Sequence, residues 1–116
     1  LLHVDLYDEE AAAPVLDSAD FYADCRATLT HEGSMTVNLF GRSSSFAQSV
    51  EKMAAAFGEE ALWAFKPTRE GNTVVLAQRT PTRFKRGEQA ERCADVQERW
   101  GLPTARWVRG LRPVRL

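Results

Sequence analysis

The sequence predicts an α/β fold, and three observations carry that expectation. Apolar residues alternate between the period of a strand and that of a helix, in the order strand, helix, strand, helix. That order implies parallel strands joined by right-handed crossovers. The last two predicted strands, residues 62–65 and 73–78, are separated only by KPTREGN, a link too short for a crossover, so that pair is antiparallel. The chain has 116 residues, 44% of them hydrophobic, which suffices for one core and one domain.

The elements follow in order. Residues 1–6, LLHVDL, read as a short strand that runs into the acidic YDEE. In PVLDSADFYADCRATL, Asp17 and Ser18 are capping residue types, and Phe21, Cys25 and Leu29 recur at helical spacing until HEG ends the helix. Residues 35–40 form a second strand. Gly41 with Ser43, Ser44 and Ser45 reads as a turn that caps the next helix rather than as a nucleophile. In that helix Phe46, Val50, Met53, Ala54 and Phe57 make an apolar stripe, and Gly58 stops it. The two strands joined by KPTREGN come next, with Pro, Gly and Asn as turn formers. Residues 86–100 form a last helix, and LPTARWVRGLRPVRL is a tail that must bury Leu102, Trp107 and Leu111. The division expected is an α/β unit over residues 1–82 and a basic helix and tail, residues 83–116, packing on it.

Charge and the rarer side chains narrow the function classes. The net charge of −1 conceals an asymmetry: residues 1–33 carry eight acidic side chains against Arg26 alone, and residues 79–116 carry ten basic against four acidic. The arginines are scattered among apolar residues without a nucleic-acid motif, so they read as a solvated face able to pack on the acidic end, and no nucleic-acid partner is expected. No apolar run approaches the roughly 20 residues that span a bilayer, and no signal-peptide pattern opens the chain. A soluble cytoplasmic protein without a membrane partner is expected. Cys25 and Cys93 have neither metal nor redox spacing and fall on apolar stripes, so both read as buried reduced thiols. His3 and His31 read as a strand and a turn residue, not as metal ligands. Trp63, Trp100 and Trp107 read as core or tail anchors rather than a stacking platform.

The run from VDLYD through FYADCRATLTHEGSMTVNLF resembles the second half of the spermidine synthase family, aminopropyltransferases built on the class I methyltransferase fold. The carrying residues are Asp5 and Asp8, an Asp-x-x-Asp at the end of a strand; the Phe21–Tyr22 pair in the following helix; a turn at Gly33; and a strand with the polar amide Asn38. The resemblance implies the carboxyl half of a Rossmann-like sheet, with parallel strands and an antiparallel terminal hairpin strand. It departs from the family at Glu9, where proline is usual, at Asn38, where glutamine is common, and at Thr68 and Arg69, where a tyrosine lines the diamine site. Arg69 would repel a diammonium, which points to another acceptor.

The resemblance further implies that decarboxylated S-adenosylmethionine is the co-substrate of a parent enzyme and that a polyamine or other small amine is the acceptor. The position of Asp5 takes the amine's proton, and Asp8, Tyr7 and Asn38 hold the substrate. Residues three apart on a strand face opposite ways, so the backbone must leave strand geometry after Asp5 for both carboxylates to serve one pocket. The glycine-rich loop and ribose-binding acid of this fold have no counterpart here, so the chain reads as a piece that is inactive alone and binds no cofactor itself. Two other functions stand beside this one: an S-adenosylmethionine-dependent methyltransferase-like domain, and a non-catalytic association module. A homodimer is expected, because LLHVDL as an edge strand lacks the lysine, proline or bulge that blunts natural edges.

Overall fold

The computed structural model describes residues 1–5, 7–8, 11–12, 17–40 and 43–116, with side chains for all of these except 7, 8, 11, 12, 43 and 44. In chain order the elements are β1 (Leu2–Val4), β2 (Tyr7–Asp8), β3 (Ala11–Ala12), α1 (Ala19–Thr28), β4 (Ser34–Phe40) and α2 (Ser43–Phe57). After these come β5 (Leu62–Ala64), β6 (Asn72–Gln78), α3 (Arg86–Trp100), α4 (Thr104–Arg109) and β7 (Arg112–Pro113). Five strands form one mixed sheet in the order β1-β4-β6-β5-β7, while β2 and β3 pair as a separate ribbon. β1 and β4 are parallel, β6 inserts antiparallel between β4 and β5, and β7 runs antiparallel to β5. Since β4 and β5 both oppose β6, β1, β4 and β5 point the same way.

One face of the sheet makes the core. Register places Leu2 beside Met35, Val4 beside Val37, and Val37 beside Val75, so these side chains share a face with Leu39, Leu62 and Ala77. Against it pack Tyr22, Cys25 and Leu29, from α1 and its end, and Val50, Met53 and Phe57 from α2. The strands alternate because a period of two sends every second residue into this layer. The other face, with Ser34, Thr36, Asn38, Val74 and Leu76, is half-buried. No described helix is long and apolar enough to cross a membrane.

Local chemistry sets the ends of the elements. Ser18 is the N-cap of α1, its Oγ accepting from the Phe21 N–H at 3.1 Å. At the other end of α1, Arg79 donates to the Leu29 carbonyl and the Thr80 hydroxyl to that of His31 (2.6 Å), which satisfies acceptors a helix end leaves open. Gly33 fits that turn because a Cβ would lie 3.0 Å from both Leu29 Cβ and the Thr30 carbonyl oxygen. Gly58 ends α2 at φ +88, a conformation that L side chains rarely adopt.

Several expectations are corrected. The first strand covers Leu2–Val4 rather than 1–6; Leu1 is exposed, and Leu6 lies outside the described residues. Helix α1 starts at Ala19, directly after the expected cap, and Cys25 and Leu29 are buried as their spacing implies, but Phe21 is only partly buried and Tyr22 takes the core position. Asp17 is not the cap; its carboxylate bridges to α2. Ser43, Ser44 and Ser45 lie inside the first turn of α2 rather than before it. Cys25 is buried, and that burial, then the Asp24 carboxylate, push its thiol above the ordinary 9.0. Cys93, however, is only half-buried, because α3 has no buried residue. The helix over 86–100 is not the last, since the tail forms α4 and β7, and Leu102 (45% exposed) and Trp107 (48%) are not buried as expected. Instead Val114 packs on the core, and its N–H donates to the Leu62 carbonyl at 3.0 Å. The basic segment meets the acidic one only at its start, where Arg79 and Thr80 hydrogen-bond to the Leu29 and His31 carbonyls, and among the described residues its tail does not reach Asp5. β7 and β1 are opposite edges of the sheet, four strand spacings or about 19 Å apart, so Arg112 cannot neutralise Asp5.

Candidate functional site at the carboxyl edge of the sheet

Asp5 follows the last residue of β1, and Asn38 lies on β4, one residue beyond the Val4–Val37 register pair. The parallel pairing therefore brings the two side chains together at one edge, and Asn38 Nδ2 donates to Asp5 Oδ1 at 3.1 Å. An amide donor on one carboxylate oxygen orients the group and leaves Oδ2, which has no partner among the described residues, directed to other use. Asp5 is exposed and Asn38 half-buried, so the carboxylate is open to a solute while its anchor is held by the sheet.

The chain leaves the main sheet at Asp5. Tyr7 and Asp8 form β2, which pairs antiparallel with β3 through Tyr7–Ala12 and Asp8–Ala11. The backbone thus departs from β1 where the sequence requires it to if Asp5 and Asp8 are to share a pocket. The side chains of Tyr7 and Asp8, and Glu9 altogether, lie outside the described residues. Thr68 and Arg69 belong to the hairpin between β5 and β6, which projects from the same edge: Asn72, at its end, is opposite Phe40, the last residue of β4. The structure therefore gathers Asp5, Asn38, Thr68 and Arg69 along one edge, with β6 and then β5 between Asn38 and the hairpin's far arm.

No family model, curated protein or solved structure matches this chain.

Remaining polar groups of the described residues fall into two sets. His3 and Thr36 share a hydrogen bond on the half-exposed face, and no group of three or more His, Cys, Asp or Glu side chains is arranged there or elsewhere among the described residues to hold a metal ion. The second set, missed at the level of sequence, centres on Asp17. Tyr22 Oη donates to its Oδ1 at 2.7 Å, while Ser49 Oγ and Lys52 Nζ each donate to Oδ2 at 3.0 Å. Lys52 also donates to the Asp17 carbonyl at 2.9 Å. Burial pushes the Asp17 carboxyl up, but the hydrogen bonds from Tyr22, Lys52 and Ser49, together with the Lys52 charge, outweigh it and hold the group below its ordinary 3.8. Both Ser49 and Tyr22 are buried. With every partner engaged, this network joins α1 to α2 and is structural. Its sequence signal was Ser49 and Lys52, polar residues one turn apart beside the apolar stripe.

Proposed function

We propose that this chain is the carboxyl half of a spermidine synthase-like, Rossmann-like domain, and that Asp5 and Asn38 belong to the acceptor side of an aminopropyl-transfer site. The observation that carries the proposal is the Asp5–Asn38 hydrogen bond across the carboxyl ends of two adjacent parallel strands. Open α/β sheets bind ligands beyond that edge. The insertion of an antiparallel strand beside the parallel pair supports the same reading, since the resemblance calls for a terminal hairpin strand.

In the reaction proposed, the amine nitrogen attacks the carbon beside a sulfonium. A carbon–nitrogen bond forms as the carbon–sulfur bond breaks, and the bonding pair stays on sulfur as a neutral thioether. An ammonium has no lone pair, so one proton must leave first, and Asp5 Oδ2 is the acceptor. Asn38 holds the carboxylate in place. Asp8 and Tyr7 supply the remaining contacts to the acceptor, and Arg69 at the same edge disfavours a second ammonium nearby. Decarboxylated S-adenosylmethionine is the donor; the elements that would hold its nucleoside are not among those described. The outer side of β1, which has no strand partner among the described residues, favours a second reading, an association module without chemistry, and in either case the edge implies a homodimer.

The test is titration of the isotopically labelled chain with putrescine and with propylamine, following the Asn38 side-chain amide signals. Saturable shifts that vanish in Asp5→Asn are expected. The same response in the native chain and in that variant would remove the assignment.

A further inference from the structure

Two cavities adjoin at the basic end of the sheet and share Arg109 and Arg112. The smaller, about 540 Å³, has an aromatic floor where Trp63 and Phe84 pack with ring centroids 4.8 Å apart, continued by Val108 and Leu111. The larger, about 970 Å³, adds Lys66, Arg106 and Trp107. No aspartate or glutamate lines either cavity. None of these cations forms an ion pair among the described residues, where the ion pairs are Lys52–Asp17 and Arg99–Asp95. Like charges around one opening repel one another and raise a positive potential that an anion relieves. The Trp63 ring lines the smaller cavity, while its indole Nε1 is buried without a hydrogen-bond partner among the described residues, so the ring can offer the cavity an apolar contact.

From these we infer a binding site for an organic anion with a flat apolar body, its carboxylate or comparable head held between Arg109 and Arg112 and its body on the Trp63–Phe84 floor. The donors fit only an acceptor, since guanidinium groups accept nothing, and planar guanidinium forks suit a carboxylate. The rings supply the apolar contact, and 540 Å³ is the size of a small-molecule pocket. The Trp63–Phe84 cavity is independent of the Asp5 reading, because it lies by β5 and β7, across the sheet from β1, although the larger cavity reaches Thr68 of the β5–β6 hairpin.

The probe is 2-naphthoate, compared with naphthalene-2-methanol, which keeps the body and lacks the charge, by calorimetry on the full chain. Naphthoate is expected to bind about tenfold or more tightly than the alcohol, the factor charge-assisted hydrogen bonds supply. Arg109→Gln with Arg112→Gln should erase that difference while leaving the alcohol's affinity in place. Both side chains are exposed, so the fold is not at risk, and Arg92→Gln serves as a control for net charge. In the labelled protein the Trp63 indole N–H signal should move at saturation. Equal affinity for acid and alcohol, an unchanged preference in the double variant, or a Trp63 signal that stays in place would each overturn the assignment.

Discussion

At the scale of single residues, Asp5 and Asp17 are both carboxylates held by hydrogen bonds, and their surroundings separate their roles. Asp5 is exposed and has one donor, Asn38, so one oxygen is free for a substrate. On the proposed reading, Asp5→Asn in an active protein that contains this segment keeps the shape and removes the proton acceptor. Turnover is expected to fall by about a hundredfold or more, while Asp8→Asn acts mainly on acceptor affinity; steady-state kinetics separate the two. Asp17 is engaged on both oxygens. Asp17→Ala strands the buried Ser49 hydroxyl, removes one bond from Tyr22 and is expected to cost about 1–3 kcal/mol in denaturant unfolding. Because its folded-state value is depressed, this contribution is complete above the ordinary 3.8 and is lost as pH falls below that toward the folded value. Asp17→Asn should flatten the stability curve in that acid window.

At the scale of elements, α2 is the piece on which the core depends. Its Met53 is fully buried between the sheet and α1, and Met53→Ala is expected to cost about 2–5 kcal/mol in the same unfolding assay. The stop after α2 is equally specific: Gly58→Ala places a side chain at φ +88, expected to cost about 1–3 kcal/mol and to lower the melting temperature. Strong periodicity made α2 legible, and the predicted 86–100 coincides with Arg86–Trp100 although that helix has no buried residue. Weak periodicity hid α4 and β7. A six-residue helix and a two-residue strand hold too few apolar positions to show a period, and β7 exists because β5 offers it a free edge.

At the scale of the whole molecule, the outer side of β1 has no strand partner among the described residues, and Leu1 beside it is 81% exposed. Unpaired donors and acceptors along an apolar edge invite a second copy. A concentration-dependent dimer is the expected outcome in sedimentation at micromolar concentration, weakened by Leu1→Lys, and a stable monomer would count against the half-domain reading. That reading also expects no measurable calorimetric binding of decarboxylated S-adenosylmethionine or methylthioadenosine by this chain alone. Clear micromolar binding would mean that its place in the larger fold is wrong.

The sequence by itself determined the α/β class, the two long helices, the hairpin over KPTREGN and the apolar stripes, because each rests on local periodicity and turn chemistry within about fifteen residues. It also singled out Asp5 and Asn38, though as types and positions rather than as a pair. Only the tertiary structure decided that they touch, since 33 residues separate them and the parallel pairing of β1 with β4 alone brings them to one edge. It likewise decided the order in which β6 enters the sheet, the Asp17 bridge from the α1 cap region to α2, and the placing of Asp5 and Arg112 at opposite edges. The physical reason is the same in each case: strand pairing and buried polar contacts join residues distant in the chain, and no local pattern records which partner a donor or an edge will find.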